Sequence, residues 1–149
     1  AVGTPGRTHF AFDLVKPELA WIWRGAFLDA RGTWHGRAGQ LVQPLGRDWQ
    51  VVKDFEVEGD MAKQLLGQRR TIDGYPVLRV ACGDARYEDE IVDHLVEGGS
   101  ELVRSIRCLA GTLVIKFPIS ESYKTLVAGK PAAQHTLAAG QSLEVVYQW

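Results

Sequence analysis

The chain has no run of about 18 apolar residues, only two cysteines, and almost no surplus of charge of either sign. The first absence excludes a membrane-spanning helix. The second limits redox and metal chemistry. Cys82 and Cys108 form no CxxC pair, so neither a zinc ribbon nor a thioredoxin-like dithiol is indicated, and the missing CxxCH removes covalent attachment of a c-type haem. The net charge of −1, with lysines and arginines spread along the chain, leaves no basic field for nucleic acid, and none is expected as a partner.

Motifs that carry chemistry are missing as well. There is no GxGxxG, no P-loop and no HExxH, and Ser142 lies in Gly-Gln-Ser-Leu-Glu rather than in a GxSxG elbow. His9, His35, His94 and His135 are scattered, with no local triad signature. No cofactor, metal site or catalytic residue is therefore expected. The densest acidic run is Glu88, Asp89, Glu90 and Asp93. On a strand it puts Glu88 and Glu90 on one face and Asp89 and Asp93 on the other, beside Ile91. A solvated outer face is the plain reading, and a hydrolase using the pair as acid and base is the rival.

What is present is alternation. At 149 residues the chain reads as one domain, 1–149, able to bury about 70% of its unfolded surface without a metal or disulfide. Strands are expected at 10–14, 19–23, 51–57, Pro76–Cys82, 86–95, 101–109, 112–118, 123–127, 134–137 and 143–149, with tight turns at Gly83-Asp84, Gly98-Gly99 and Ala110-Gly111. Residues 25–50 read as irregular, and Asp60 as the cap of a short helix through Leu66, stopped by Gly67. The fold class is all-β: an antiparallel β-sandwich of about nine short strands with little helix. Cys82 and Cys108 fall on apolar strand faces and read as buried free thiols, a disulfide being open only to α-carbons within about 7 Å.

The segment from Leu19 to Gly39 holds three of the five tryptophans. Trp21 and Trp23 share a strand face and are expected to anchor the core, the alternative being an exposed platform for a sugar ring or base; Ile22 points the other way. Trp34 sits among glycines beside Arg31, His35 and Arg37, a composition suited to a partner surface. Arg24, Arg31, Trp34, His35, Arg37 and Tyr75 are the candidate partner- or ligand-binding residues. Arg24 and Asp29 are expected to pair and fix the loop.

Phe10-Ala11-Phe12-Asp13, the block Trp23-Arg24-Gly25-Ala26-Phe27-Leu28-Asp29-Ala30-Arg31-Gly32-Thr33-Trp34, Asp73-Gly74-Tyr75-Pro76 and the closing Tyr147-Gln148-Trp149 resemble a segment of large exported bacterial proteins. Those proteins join a quinoprotein sugar-dehydrogenase-like propeller to a c-type cytochrome domain. The resemblance spans most of the chain, and the block from Trp23 to Trp34 is its specific part. This chain carries neither the propeller nor the haem motif. The resemblance thus implies an exported, periplasmic accessory domain beside electron-transfer proteins. A first residue that is Ala1, with Met61 the only methionine, fits removal of a leader. The expectation is a non-catalytic scaffold or docking subunit whose partner is a cytochrome or membrane redox complex. The runner-up is a carbohydrate-binding module contacted through Trp34, His35 and Tyr75.

Overall fold

The computed structural model describes residues 1–34, 42–59 and 61–149. Fifteen strands and one helical turn follow in chain order: β1 (Thr8–Asp13), β2 (Glu18–Arg24), β3 (Leu28–Asp29), α1 (Arg31–Trp34), β4 (Gln43–Pro44), β5 (Arg47–Val51), β6 (Glu56–Val57), β7 (Lys63–Arg70), β8 (Pro76–Cys82), β9 (Ala85–Val96), β10 (Gly99–Ala110), β11 (Thr112–Lys116), β12 (Lys124–Val127), β13 (Lys130–Pro131), β14 (Gln134–Ala138) and β15 (Ser142–Gln148). Every pairing is antiparallel. The largest sheet runs β13-β12-β15-β10-β9-β8-β7, and against it lie two three-stranded sheets, β1-β2-β5 and β14-β11-β6. The result is a two-layered, all-β body, as the alternation predicts.

Period-2 burial explains the layering. Leu102, Arg104, Ile106 and Cys108 of β10 are sealed, while Val103, Ser105 and Arg107 between them are not. The same rule puts Leu78, Val80 and Cys82 of β8, Tyr87 and Ile91 of β9, and Val145 and Tyr147 of β15 on the inner face. Phe10, Leu19 and Ile22 meet them from one small sheet, and Leu113, Ile115, Val57 and Leu137 from the other. Turn chemistry sets the registers. Gly111, between β10 and β11, has φ +71°, and a Cβ there would lie 2.8 Å from the Asp84 carbonyl oxygen.

Two expected elements differ. The helix of 60–66 is instead the strand β7, and Asp60 lies outside the described residues. A ladder from Lys63↔Cys82 to Arg70↔Pro76 overrides the local helical pattern, and the supposed stop, Gly67, marks an irregularity in that ladder. The strand expected at 51–57 is split between β5 and β6. Residues 53–55 leave the ladder, where Asp54 turns into the core.

Asp54 meets a charge there. Arg104 is fully buried, and its guanidinium is shared by two carboxylates: Nε and Nη2 donate to Asp89 at 2.8 and 2.6 Å, Nη2 donates to Asp54 at 3.1 Å, and Nη1 donates to the other Asp54 oxygen. Nη1 also donates to the Tyr147 hydroxyl at 3.0 Å, and the guanidinium lies 4.6 Å from the centre of the Phe55 ring. Asp54 accepts the Leu19 and Phe55 backbone N–H groups at 3.0 and 2.9 Å and faces the Lys63 ammonium at 3.4 Å. Burial pushes the Asp54 carboxyl up, but Arg104 and Lys63 outweigh it and hold it below its usual value. Asp89 and Arg104 belong to the large sheet, Asp54 to the opposing layer.

Cys82 and Cys108 are free and buried. They sit on β8 and β10, on either side of β9, where Cys82 is paired with Ala85 and Cys108 with Tyr87. Two strand spacings separate such positions by roughly 9–10 Å, beyond disulfide reach. Each thiol donates to a nearby carbonyl instead, Cys82 to Met61 at 3.2 Å and Cys108 to Ala110 at 3.5 Å.

Arg104→Met is expected to cost about 3–5 kcal/mol in urea unfolding, because it strands two buried carboxylates. Asp54 is held below its unfolded value, so its contribution is complete above about pH 4 and is lost as pH falls further. A pH series should therefore show stability dropping on the acid side, with a shallower fall in Asp54→Asn. A thiol reagent should leave both cysteines unreacted in the native protein and titrate both in denaturant.

Candidate functional site

Of the two tryptophans on β2, Trp23 is buried as expected but outside the main core cluster, and Trp21 is only partly buried. Phe10 pairs with Ile22, and both face inward, so Trp21 and Trp23 stand on the outer face of the sheet β1-β2-β5. Chain that follows β2 roofs over half of that face. Trp23 is 1% exposed, stacked on Phe27 with ring centres 5.9 Å apart and beside His9 at 5.5 Å. Its indole Nε1 donates to the carbonyls of Ala26 at 3.2 Å and Phe27 at 3.0 Å. The roof is pinned by Gly25 N–H to Arg7 O (2.9 Å), by Leu45 N–H to Phe27 O (3.1 Å), and by the pairing of β3 with β4. Gly46 makes this closeness feasible: a Cβ there would lie 2.0 Å from the Arg24 carbonyl oxygen and 2.7 Å from the Trp23 ring. His9 locks the edge of the roof. Its Nδ1 accepts the Thr4 N–H at 3.0 Å, so Nε2 carries the hydrogen that reaches Gly25 O at 2.9 Å.

The other half of the face is open. Trp21 stacks on Trp49, ring centres 5.5 Å apart and planes 21° from parallel. Trp49 is 53% exposed and Val51, paired with Trp21, 59%. This ledge on the edge strand β5 is the most prominent uncovered aromatic feature among the described residues. The sequence reading missed Trp49 because it falls in a glycine-punctuated stretch. The usable signal was Trp49-Gln50-Val51, three residues that alternate like a strand.

The candidates named from sequence do not assemble around this ledge. Arg24 turns inward, its guanidinium 4.5 Å from the centre of the Trp149 ring and its Nη1 donating to Ser100 O at 3.0 Å. Asp29 pairs with Arg31, not with Arg24: Arg31 Nη2 and Nε donate at 2.8 and 3.0 Å. Those hydrogen bonds hold the exposed Asp29 carboxyl down at about 2. Trp34 ends α1, and His35 and Arg37 lie outside the described residues. Tyr75 is half-buried, and its hydroxyl donates to Asp93, which also accepts the Gly6 N–H. Burial, then the Asp93 carboxylate, raise that hydroxyl to about 12. Asp93 of β9 thus holds both the β7–β8 connection, through Tyr75, and the N-terminal segment, through Gly6.

The acidic run divides by parity as expected. Asp89 is the buried partner of Arg104, whereas Glu88 is held by Arg69 and Arg79, each at 3.1 Å. The Arg69 hydrogen bond is the main reason the Glu88 carboxyl sits below its usual range, the opposite of what a general acid needs. A cleft of about 880 Å³ opens between Lys16, Glu18, residues 54–59 and 61–63, β11 and Gln134. The Lys63 ammonium within it is already taken by Phe55 O at 2.7 Å, Asp54 at 3.4 Å and Glu18 at 3.7 Å. On its rim Glu56 lies opposite Lys116. Among the described residues, no three His, Cys, Asp or Glu side chains converge as metal ligands, and no helix is long and apolar enough to cross a membrane.

The two kinds of tryptophan should separate by mutation. Trp23→Ala is expected to cost about 3–5 kcal/mol, and Trp49→Ala less than about 1 kcal/mol, in denaturant unfolding. Acrylamide quenching of fluorescence should fall most in the Trp49→Ala protein.

Comparison of the chain with known proteins finds no matching family model, no matching curated protein and no matching solved structure.

Proposed function

We propose that the chain is a non-catalytic docking domain of an exported, periplasmic electron-transfer or membrane-associated assembly, and that a partner protein seats on the open Trp21–Trp49 face. The observation that carries this reading is the stacked pair itself, with Trp49 exposed over a half-buried Trp21 beside the exposed Val51, while the adjoining Trp23 is sealed. A flat, preordered aromatic ledge gains more from being covered than scattered surface residues do, and tryptophan is favoured among the anchors of protein interfaces. The nature of the assembly rests on the resemblance of the Trp23 to Trp34 block to exported proteins that carry c-type cytochrome domains. Elsewhere, Glu88 and Asp89 are committed to arginines and the cleft's Lys63 to its own neighbours.

A carbohydrate ligand is the second reading, and it too moves to Trp49. The Tyr75 hydroxyl is engaged by Asp93, whereas the exposed indole of Trp49 has surface free for a sugar ring. Retardation of the protein in gels containing soluble polysaccharide, abolished by Trp49→Ala, would support it.

A photoreactive phenylalanine analogue at position 49, irradiated in intact cells, is expected to join the chain to a protein that stains for covalent haem. The same probe at Arg107, exposed on the large sheet, serves as control. If position 49 yields no haem-bearing adduct, the electron-transfer assignment fails. If it captures only a second copy, docking of a different protein fails.

A further inference from the structure

Among the described residues β5 is a free edge of the sheet β1-β2-β5. Its pairing with β2 fixes which backbone groups point outward. Val52 N–H donates to Ala20 O at 2.8 Å, and Gln50 is the register partner of Ile22. Alternation along an antiparallel ladder then turns the groups of residues 50 and 52 toward β2. The carbonyl of Trp49 and the N–H and carbonyl of Val51 point the opposite way, into solvent. Donor and acceptor thus flank Gln50, one on each side, and that arrangement is its own complement under a two-fold rotation.

We propose that this edge pairs with the same edge of a second copy of the chain, antiparallel and centred on Gln50. In that register the Val51 N–H of each copy donates to the Trp49 carbonyl of the other. Trp49 of one copy lies opposite Val51 of its partner, a large ring against a small β-branched side chain on the same face. Lys53 of each copy falls opposite Arg47 of the other, whose charge is offset by its own neighbour Asp48 at 3.6 Å. The contact is isologous, as two-fold dimers require. It joins the two three-stranded sheets into a six-stranded one and doubles the aromatic ledge. The inference does not depend on which further partner, if any, covers that ledge.

The edges of the large sheet are poorer choices. β7 carries Lys63, Arg69 and Arg70 and no aromatic residue, and β13 is only two residues long and ends in Pro131. β5 has no proline and presents Trp49 and Val51 in the open. The short contact makes the dimer weak, so it grows with concentration.

The test combines sedimentation velocity with cross-linking. Wild-type protein should shift from monomer to dimer as its concentration rises. Gln50→Cys should form a disulfide-linked dimer on mild oxidation, because residues paired across the dyad without mutual hydrogen bonds lie within disulfide reach; Gln68→Cys on β7 should not. Val51→Pro removes only the outward N–H and spares the bonds to β2, so it should weaken dimerisation about tenfold or more, for two lost hydrogen bonds, with circular dichroism unchanged. Should that variant misfold, Gln50→Cys alone decides. A wild-type protein that stays monomeric throughout overturns the proposal, as does Gln50→Cys cross-linking no faster than Gln68→Cys. So would a monomer whose Val51 amide is protected by a foreign extended peptide.

Discussion

The fork between Arg104 and its two carboxylates is the constraint around which the two layers are arranged. Asp89 and Arg104 come from adjacent strands of the large sheet; Asp54 comes from the segment that connects β5 to β6 in the facing layer. A guanidinium with both edges occupied cannot rotate or slide without stranding charge in a medium that solvates it poorly. The fork therefore specifies the relative placement of the layers more sharply than the aliphatic contacts around it, which tolerate small shifts. The chain abandons its ladder over residues 53–55, where Asp54 descends to it. Phe55 follows to lie against the guanidinium and the Lys63 ammonium.

The outer side of the small sheet is organised by a different rule. Tryptophan pairs on one strand face usually announce a core, yet here the core takes Ile22 from the intervening position and leaves both indoles outside. The chain then covers one of them with its own backbone and leaves the other stacked and only half-buried. That asymmetry separates a structural aromatic from an available one. The covered indole has both carbonyl partners and a glycine cut to its outline. The other has a stacking partner, Trp49, that is itself exposed.

Much of the architecture could be read from residue order. The second half alternates cleanly, and Pro76–Cys82 emerges with the boundaries drawn from sequence. The parity split of Glu88 and Asp89 was legible too. What was not legible required knowledge of partners distant in sequence. Arg104 has the spacing of any strand residue, and only its partners Asp89 and Asp54, fifteen and fifty positions away, make it a core residue. The helix read at 60–66 fails for the same reason, since its ladder partner begins at Pro76. Trp49 was hidden by a left-handed residue, Asp48 at φ +55°, which interrupts the alternation that would have announced a strand. Of the candidate site residues, Arg24, Arg31 and Tyr75 are occupied by internal partners that composition does not reveal.

The two thiols carry a last consequence. They sit on strands that β9 keeps apart, each bonded to the main chain beside it, and no covalent cross-link joins one part of the fold to another. The architecture accordingly has nothing for a reductant to break and no oxidative step to complete. Its integrity is indifferent to glutathione, so assembly rests on buried side chains, the strand ladders and the Arg104 fork.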